Sequence, residues 1–383
     1  MKKMISAVIL TLLFCNMKND TSTPVIDVLS ASESELKNIS DIAADVEYIP
    51  LETADNEPLG MIRNIVTSNR SIFFSTVDKI YCFDKKGKYL RKLSRLGRGP
   101  EEYSNLYSFD VSQDDSILAV ISSHCLMLYK KERSDYTFLR KLNYYPSRID
   151  FIPGQENILL TYGTSIGTEP FRHLLINYKG DTINTRTNNS RIVNSGPTLS
   201  LFFENISFKF NYKMHFKELL NDTVFSIEPY SKIRPYLIFD TKGKIPSPND
   251  RANGQYFKDH MSEFIMIDNI MEVPRYLVFS FLYQKAKHYR IYDKVANKKY
   301  DINSKSWIKD NISGGTGFKP LFSDDSRLYS WVEALTLKNY VTSETFKSSK
   351  VNNPDKKKAL EKLVETIDEN DNPILIVVFP KNK

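Results

Sequence analysis

The chain has 383 residues, 41% apolar and 12% aromatic, which is enough for a packed core and excludes a globally disordered polymer. Its formal net charge of +7 is spread out, apart from short runs such as Lys356-Lys357-Lys358, so the concentrated basic face of a nucleic-acid binder is missing. The 22 Tyr and 23 Phe favour strands over helices.

The first segment, "MKKMISAVILTLLFCN", has a basic start (Lys2, Lys3) and an apolar stretch from Met4 to Phe14. That is the pattern of a signal peptide over residues 1–14. It is shorter than the ~20 residues a spanning helix needs, and no other long apolar run follows. Cys15 directly after "LLF" resembles a bacterial lipobox, except that Phe14 stands where a small residue is usual. Acyl chains on Cys15 would anchor the protein through buried CH₂ groups; simple secretion and an accidental cysteine are the alternatives. Residues 15–40 read as a lipid-anchored flexible tether, and residues 41–383 as one domain.

Within that domain one pattern recurs: a polar turn, then about four apolar residues. It occurs as "SNRSIFFS", "QDDSILAV", "GQENILLTY", "LNDTVFSI", "EVPRYLVFS" and "SDDSRLYSW". The spacing averages roughly 50 residues, the length of a propeller-blade repeat. After each of the first five comes a strand ending in an aromatic, a charged turn and another strand. Examples are "IYCFDKKGKYLRKL" and "LLINYKGDTINT". Gly87, Gly180 and Gly243 sit where such turns need positive φ. Each repeat supplies strand, hairpin and strand, and with a linking strand makes a four-stranded antiparallel blade. One blade cannot bury both faces, whereas six around an axis can. "DVEYIPLE" (Asp45–Glu52) and "NPILIVVFPK" (Asn372–Lys381) are the strands at opposite ends that would close the ring. The fold expected is all-β: a six-bladed β-propeller of four-stranded antiparallel blades, closed by N- and C-terminal strands. Short rim helices are expected at Asn249–Asp268 and Asn352–Asp371, where apolar residues fall at helical spacing, and an exposed polar loop over 183–200.

"RLGRGPEEY" (Arg95–Tyr103) looks like a phosphate loop but lacks the Lys-Ser/Thr pair and the following helix of a P-loop. Its place between two blades predicts a crossover in which Gly97 and Gly99 permit the bend and Tyr103 plugs the core. If such crossovers border the channel, Arg95, Arg98, Glu101, Glu102 and Tyr103 are candidates to contact an acidic or sugar-like ligand. The five histidines occur singly, no CxxC pair exists and no nucleophile elbow is present, so no metal site, cofactor or catalytic residue is assigned. Cys82 and Cys125 lie in apolar runs and read as buried thiols, with a disulfide as the alternative.

"VEYIPLET" (Val46–Thr53) with Gly60, "IYCFDKKGKYLRKL", the set Gly97, Gly99, Pro100, Glu102 and Tyr103, "LNDTVFSI", "GGTGFKP" and "NPILIVV" together resemble the six-bladed β-propeller lipoproteins of Gram-negative gut bacteria, distant relatives of NHL-repeat propellers. The resemblance spans most of residues 41–380. It implies a periplasmic or surface lipoprotein, outer-membrane anchored, without an assigned activity. Ser313 departs from it, occupying a position that is commonly acidic. Two functions follow as expectations. The first is a cell-envelope propeller that binds a glycan, a peptide or an envelope protein without catalysis. The alternative is an NHL-like lyase or hydrolase with its site at the central channel.

Overall fold

In a computed structural model, residues 23–54, 57–123, 125–133, 135–163, 169–191, 199, 201, 203–228 and 231–382 are described. They form six antiparallel sheets that follow one another along the chain. Blade 1 is Asn64–Thr67, Ser71–Ser75, Ile80–Asp84 and Tyr89–Leu93, from the axis outward. Blades 2 to 5 begin with the inner strands Ser108–Val111, Arg148–Phe151, Asn205–Phe210 and Met266–Glu272. Blade 6 is composite: Phe322–Ser323, Leu328–Val332 and Ile374–Pro380 are completed by Ala43–Pro50. Ile376 opposes Tyr48 and Val378 opposes Val46 in an antiparallel ladder, so the two ends of the domain close the ring as the sequence predicts.

Adjacent blades face each other across apolar seams. Phe73, Ile80, Leu118 and Tyr129 pack between blades 1 and 2, and Ile121, Leu128, Ile158 and Ile176 between blades 2 and 3. Phe239, Ile270 and Phe279 fill the seam between blades 4 and 5, and Ile72, Phe83, Tyr329 and Leu375 the seam between blades 6 and 1. Cys82 and Cys125 are free and buried, and burial pushes the Cys82 thiol up to about 11. Gly87 illustrates the turn chemistry. Its φ is +83°, its carbonyl accepts from Glu52 N at 2.8 Å, and a Cβ there would overlap the Pro50 carbonyl. The blade 1 hairpin is thereby pressed against the strand that leaves blade 6.

Three features depart from the sequence reading. First, part of the expected tether is ordered strand. Val25–Asp27 adds in parallel to the outer strand of blade 4 (Lys232–Asp240), and Ser34–Glu35 to that of blade 5 (Lys298–Ile302). Outer edges present unpaired backbone groups that a passing chain can satisfy, and Ile26, Val28, Leu36 and Ile39 are buried as it does so. Residues 1–14 and Cys15 lie outside the described residues. Second, "LNDTVFSI" supplies the third strand of blade 4, Thr223–Glu228, where its counterparts elsewhere supply the second. The second strand is Lys213–Glu218, whose His and Lys residues mask its apolar pattern. "YLIFDTKGKI" is accordingly an outer strand followed by helices, not by another strand. Third, 183–200 is not all loop: Thr182–Thr187 is the outer strand of blade 3, whose exposed side chains look like loop composition.

The helices at Pro248–Ala252 and Gly254–His260, and at Pro354–Thr366, occupy the predicted segments. Ala334–Thr342 and Glu344–Lys347 add two unpredicted ones that bury Ala334, Leu337, Val341 and Phe346 against blade 6. No helix among the described residues is long and apolar enough to cross a membrane.

Candidate functional site

The "RLGRGPEEY" loop is a clasp between the outer strand of blade 1 and the inner strand of blade 2. Gly97 N donates to Tyr103 O at 3.1 Å and Tyr103 N to Arg95 O at 3.0 Å. The Tyr103 ring is fully buried, and its hydroxyl donates to Asp78 O at 2.7 Å. Glu102 folds back to accept from Gly99 N at 2.8 Å, in space that a Cβ on Gly97 would take. The Arg95 guanidinium donates to Tyr136 O at 3.1 Å. The loop is therefore a corner that closes on itself, and its glycines make room for a carboxylate of the same loop. Arg98 and Glu101 sit in it as well. None of the five predicted residues lines the central channel, so they do not border it as expected. The reason is topological: the crossover enters the N-terminal ends of the inner strands, while the polar lip of the channel (Asn69, Gln113, Asp324, Asp325) is made by turns at their C-terminal ends.

The channel itself has a volume of about 680 Å³ and takes lining residues from the inner strand or its flanking turns in all six blades. Alternate side chains of a strand point to one face, and the inner strands of blades 2, 3, 4 and 5 all place charged residues on the channel lining. In blade 3, Arg148 Nε lies 3.2 and 3.1 Å from the two Asp150 oxygens, and Nη2 lies 3.2 Å from Oδ1. Ser207 Oγ of blade 4 donates to the same Asp150 Oδ1 at 2.7 Å. Two residues on, Lys209 Nζ reaches Asp110 of blade 2 at 2.9 and 2.7 Å, and Phe151 N of blade 3 donates to Asp110 Oδ2 at 2.6 Å. One carboxylate thus ties three blades together. Burial pushes the Asp110 carboxyl up, against the pull of Lys209.

The carboxylates lie behind and the cations in front. The side chains of Asp110 and Asp150 are 4% and 6% exposed, those of Lys209 and Arg148 27% and 42%. A molecule in the channel meets N–H donors whose counter-charges are buried in the wall.

At the mouth the hairpin of blade 4 reaches sideways. Asn211 and Tyr212 turn at φ 51° and 58°, and Asn211 N donates to Asp325 of blade 6 at 2.9 Å. Tyr212 is left exposed over the opening. Beside it, Asp324 accepts from Tyr329 Oη at 2.6 Å, and Lys85 Nζ lies 3.5 Å away. Burial pushes the Lys85 ammonium down and the Asp325 carboxyl up.

The glycine-rich loop at Gly314–Pro320 is organised from inside. Asp310 accepts from Ile312 N, Ser313 N and Gly315 N at 3.0, 2.9 and 3.1 Å, from Tyr48 Oη at 3.1 Å and from Ser313 Oγ. Ser313, where the resemblance has an acid, is a donor to an acid already present.

Sequence reasoning missed Asp110, Arg148, Asp150 and Lys209 because each stands alone in the chain and they meet only when blades 2, 3 and 4 are set side by side. The signal available was a charge alternating with apolar residues in "SFDV", "RIDF" and "SFKF". A strand packed on both flanks keeps such charges only where a partner or water meets them.

A family model described as "Domain of unknown function (DUF4934)" matches residues 23–379. Among solved structures, a candidate exported protein of Bacteroides fragilis is 20% identical with a TM-score of 0.64, the match covering 91% of this chain and 99% of that one. A member of the DUF4221 family from Bacteroides vulgatus is 13% identical with a TM-score of 0.52, covering 89% and 98%. Both likenesses are of fold. No curated protein matches.

Proposed function

The chain belongs to the DUF4934 family, and for this member we propose a cell-envelope protein that binds a polar ligand in the channel of its propeller. The observation that carries the reading is the lumen. Its volume falls within the ~300–1,000 Å³ of small-molecule sites, and amides, carboxylates and cations from several blades converge on it. Glycans, short peptides and an exposed segment of an envelope protein all have the polarity it asks for. Asp110 and Asp150 lend catalysis little support, because both are already engaged, Asp110 by Lys209 and Phe151 N and Asp150 by Arg148 and Ser207. The loop residues Arg95, Arg98, Glu101 and Glu102 offer a second polar surface at the other end of the inner strands.

The location rests on the leader-like residues 1–14, the lipobox-like Cys15 and the likeness to a candidate exported protein. Acylation at Cys15 would hold the propeller at the outer membrane of a periplasm-bearing cell. Mass spectrometry of the membrane fraction should find a diacylglyceryl Cys15 as the first residue. A mature chain starting elsewhere removes the anchor. For the site, thermal-shift screening of the purified chain against oligosaccharides and peptides should find ligands whose effect disappears in Asn269→Trp, which fills the lumen. Ligands that bind this variant unchanged would place binding outside the channel.

A further inference from the structure

We infer that the channel wall at Arg148 and Lys209 is a carboxylate-binding subsite, and that its ligand is an acidic saccharide. The inference rests on the channel being the binding site and adds the class of ligand.

Arg148 and Lys209 are side-chain neighbours by construction. Arg148 bonds Asp150, Asp150 accepts from Ser207, and Ser207 and Lys209 stand two apart on the lumen face of one strand. Each cation keeps unused donors. Arg148 spends Nε and Nη2 on Asp150, and Nη1 has no acceptor among the described residues. Lys209 spends two hydrogens on Asp110. What remains is a guanidinium edge and an ammonium group on the lining of the channel. They are held rigid by carboxylates that a ligand cannot displace without stranding them in the wall. Charge-assisted donors fixed in advance are what a carboxylate binds best.

The rest of the lumen selects the body that carries this carboxylate. Asp324 and Asp325 stand at the lip with Tyr212 exposed beside them. These groups call for hydroxyl donors and a ring face. A sugar acid brings one carboxylate per ring, surrounded by hydroxyls that can donate to Asp324 and Asp325. An acidic peptide offers carboxylates without the ring hydroxyls or the ring face.

The test is calorimetric titration of the full-length chain with trigalacturonate, with its carboxyl-reduced counterpart galactotriose, and with a tri-glutamate peptide. Trigalacturonate should bind roughly tenfold or more tightly than galactotriose, with an affinity that falls as salt rises. Tri-glutamate should not bind. Because Lys209→Met alone strands Asp110, the paired variants Lys209→Met/Asp110→Asn and Arg148→Gln/Asp150→Asn are the informative ones. Each should lose the preference for the uronate and keep the native melting transition. Equal binding of galactotriose and trigalacturonate, insensitive to both variants, overturns the subsite while leaving the channel as a binding site. Equal binding of tri-glutamate overturns the saccharide. Absence of binding by all three overturns this inference and leaves the broader reading to the screen above.

Discussion

The seams beside blade 6 and the seam between blades 3 and 4 are built from different materials. Blade 6 buries Tyr329, Leu375 and Val377 against blade 1, and Leu328, Ile374 and Ile376 against blade 5 and its covering helices. Blades 3 and 4 share a thin apolar patch, Ile152, Leu159, Leu175, Met214, Phe216 and Ile227. The remainder of that seam is charge. Glu218 accepts from His173 Nε2 at 3.2 Å and Arg186 Nε at 3.1 Å, and the Arg186 guanidinium stacks 4.2 Å from the Phe225 ring centre. Burial pushes the Glu218 carboxyl up, but these two donors outweigh it and hold it at about 2. Burial pushes the His173 imidazole down, against the pull of Glu218. The difference lies in the residues rather than in connectivity alone, since blades 1 and 2, 2 and 3, and 4 and 5 are likewise consecutive and share apolar seams. Blades 3 and 4 are consecutive in the chain, so their meeting costs little loop-closure entropy. The two halves of blade 6 come from chain ends over 300 residues apart, and the ordering of that long loop must be offset by apolar burial.

If that contrast holds, the closing strand is where damage is greatest. Removing Ile374–Phe379 should abolish the cooperative melt of the whole ring, with loss of amide protection as far away as Leu118–Ile121. Protection surviving in blade 2 would show that the blades stand alone. The milder Leu375→Ala should cost about 2–5 kcal/mol by denaturant titration.

Next in size is Gly87→Ala, which combines positive φ with an overlap on the Pro50 carbonyl. It should cost about 1–3 kcal/mol, against little for Gly243→Ala, where a Cβ meets nothing within contact distance and only the φ penalty applies.

Acid should open the polar seam first. Glu218 has a folded pKa below its ordinary value, so its contribution is complete above about 4.5 and is lost as pH falls towards 2. His215, between Phe208 and Tyr236, is pushed down by burial to about 4. It must take up a proton on unfolding, so stability also falls as pH drops from 6.5 to 4. Asp110, pushed up by burial, works in the opposite sense. Buried Lys217, pushed down to about 8, makes stability rise between about 8 and 10.5. Hydrogen exchange at pH 3 should therefore show the strands of blades 3 to 5 exchanging before Ile374–Pro380, and the reverse order would contradict the comparison. The smallest effect expected is that of Arg98→Ala. With the ligand in the channel, this loop variant should leave affinity within about twofold, whereas the Lys209 and Arg148 pairs change it strongly.

Much of this architecture was legible from the chain alone. Blades 1, 2, 3 and 5 announce themselves because their middle strands are apolar runs between turn residues, and a hairpin is a local event. Closure was legible because two strong strands at opposite ends had no other partner. Blade 4 was misphased because His215 and Lys217 interrupt its second strand, and what they face lies across a seam. The outer strand Thr182–Thr187 was hidden by being an edge.

The amino-acid sequence by itself determined that six sheets form and that they join end to end, since both follow from local periodicity and the need to cover apolar faces. It also specified the clasp at Arg95–Tyr103, whose parts are nine consecutive residues. Only the tertiary structure decided where the channel's chemistry lies. Asp110, Arg148, Asp150 and Lys209 are far apart in the chain and become one group only because the ring sets three inner strands side by side, with carboxylates turned into the wall and cations towards the water.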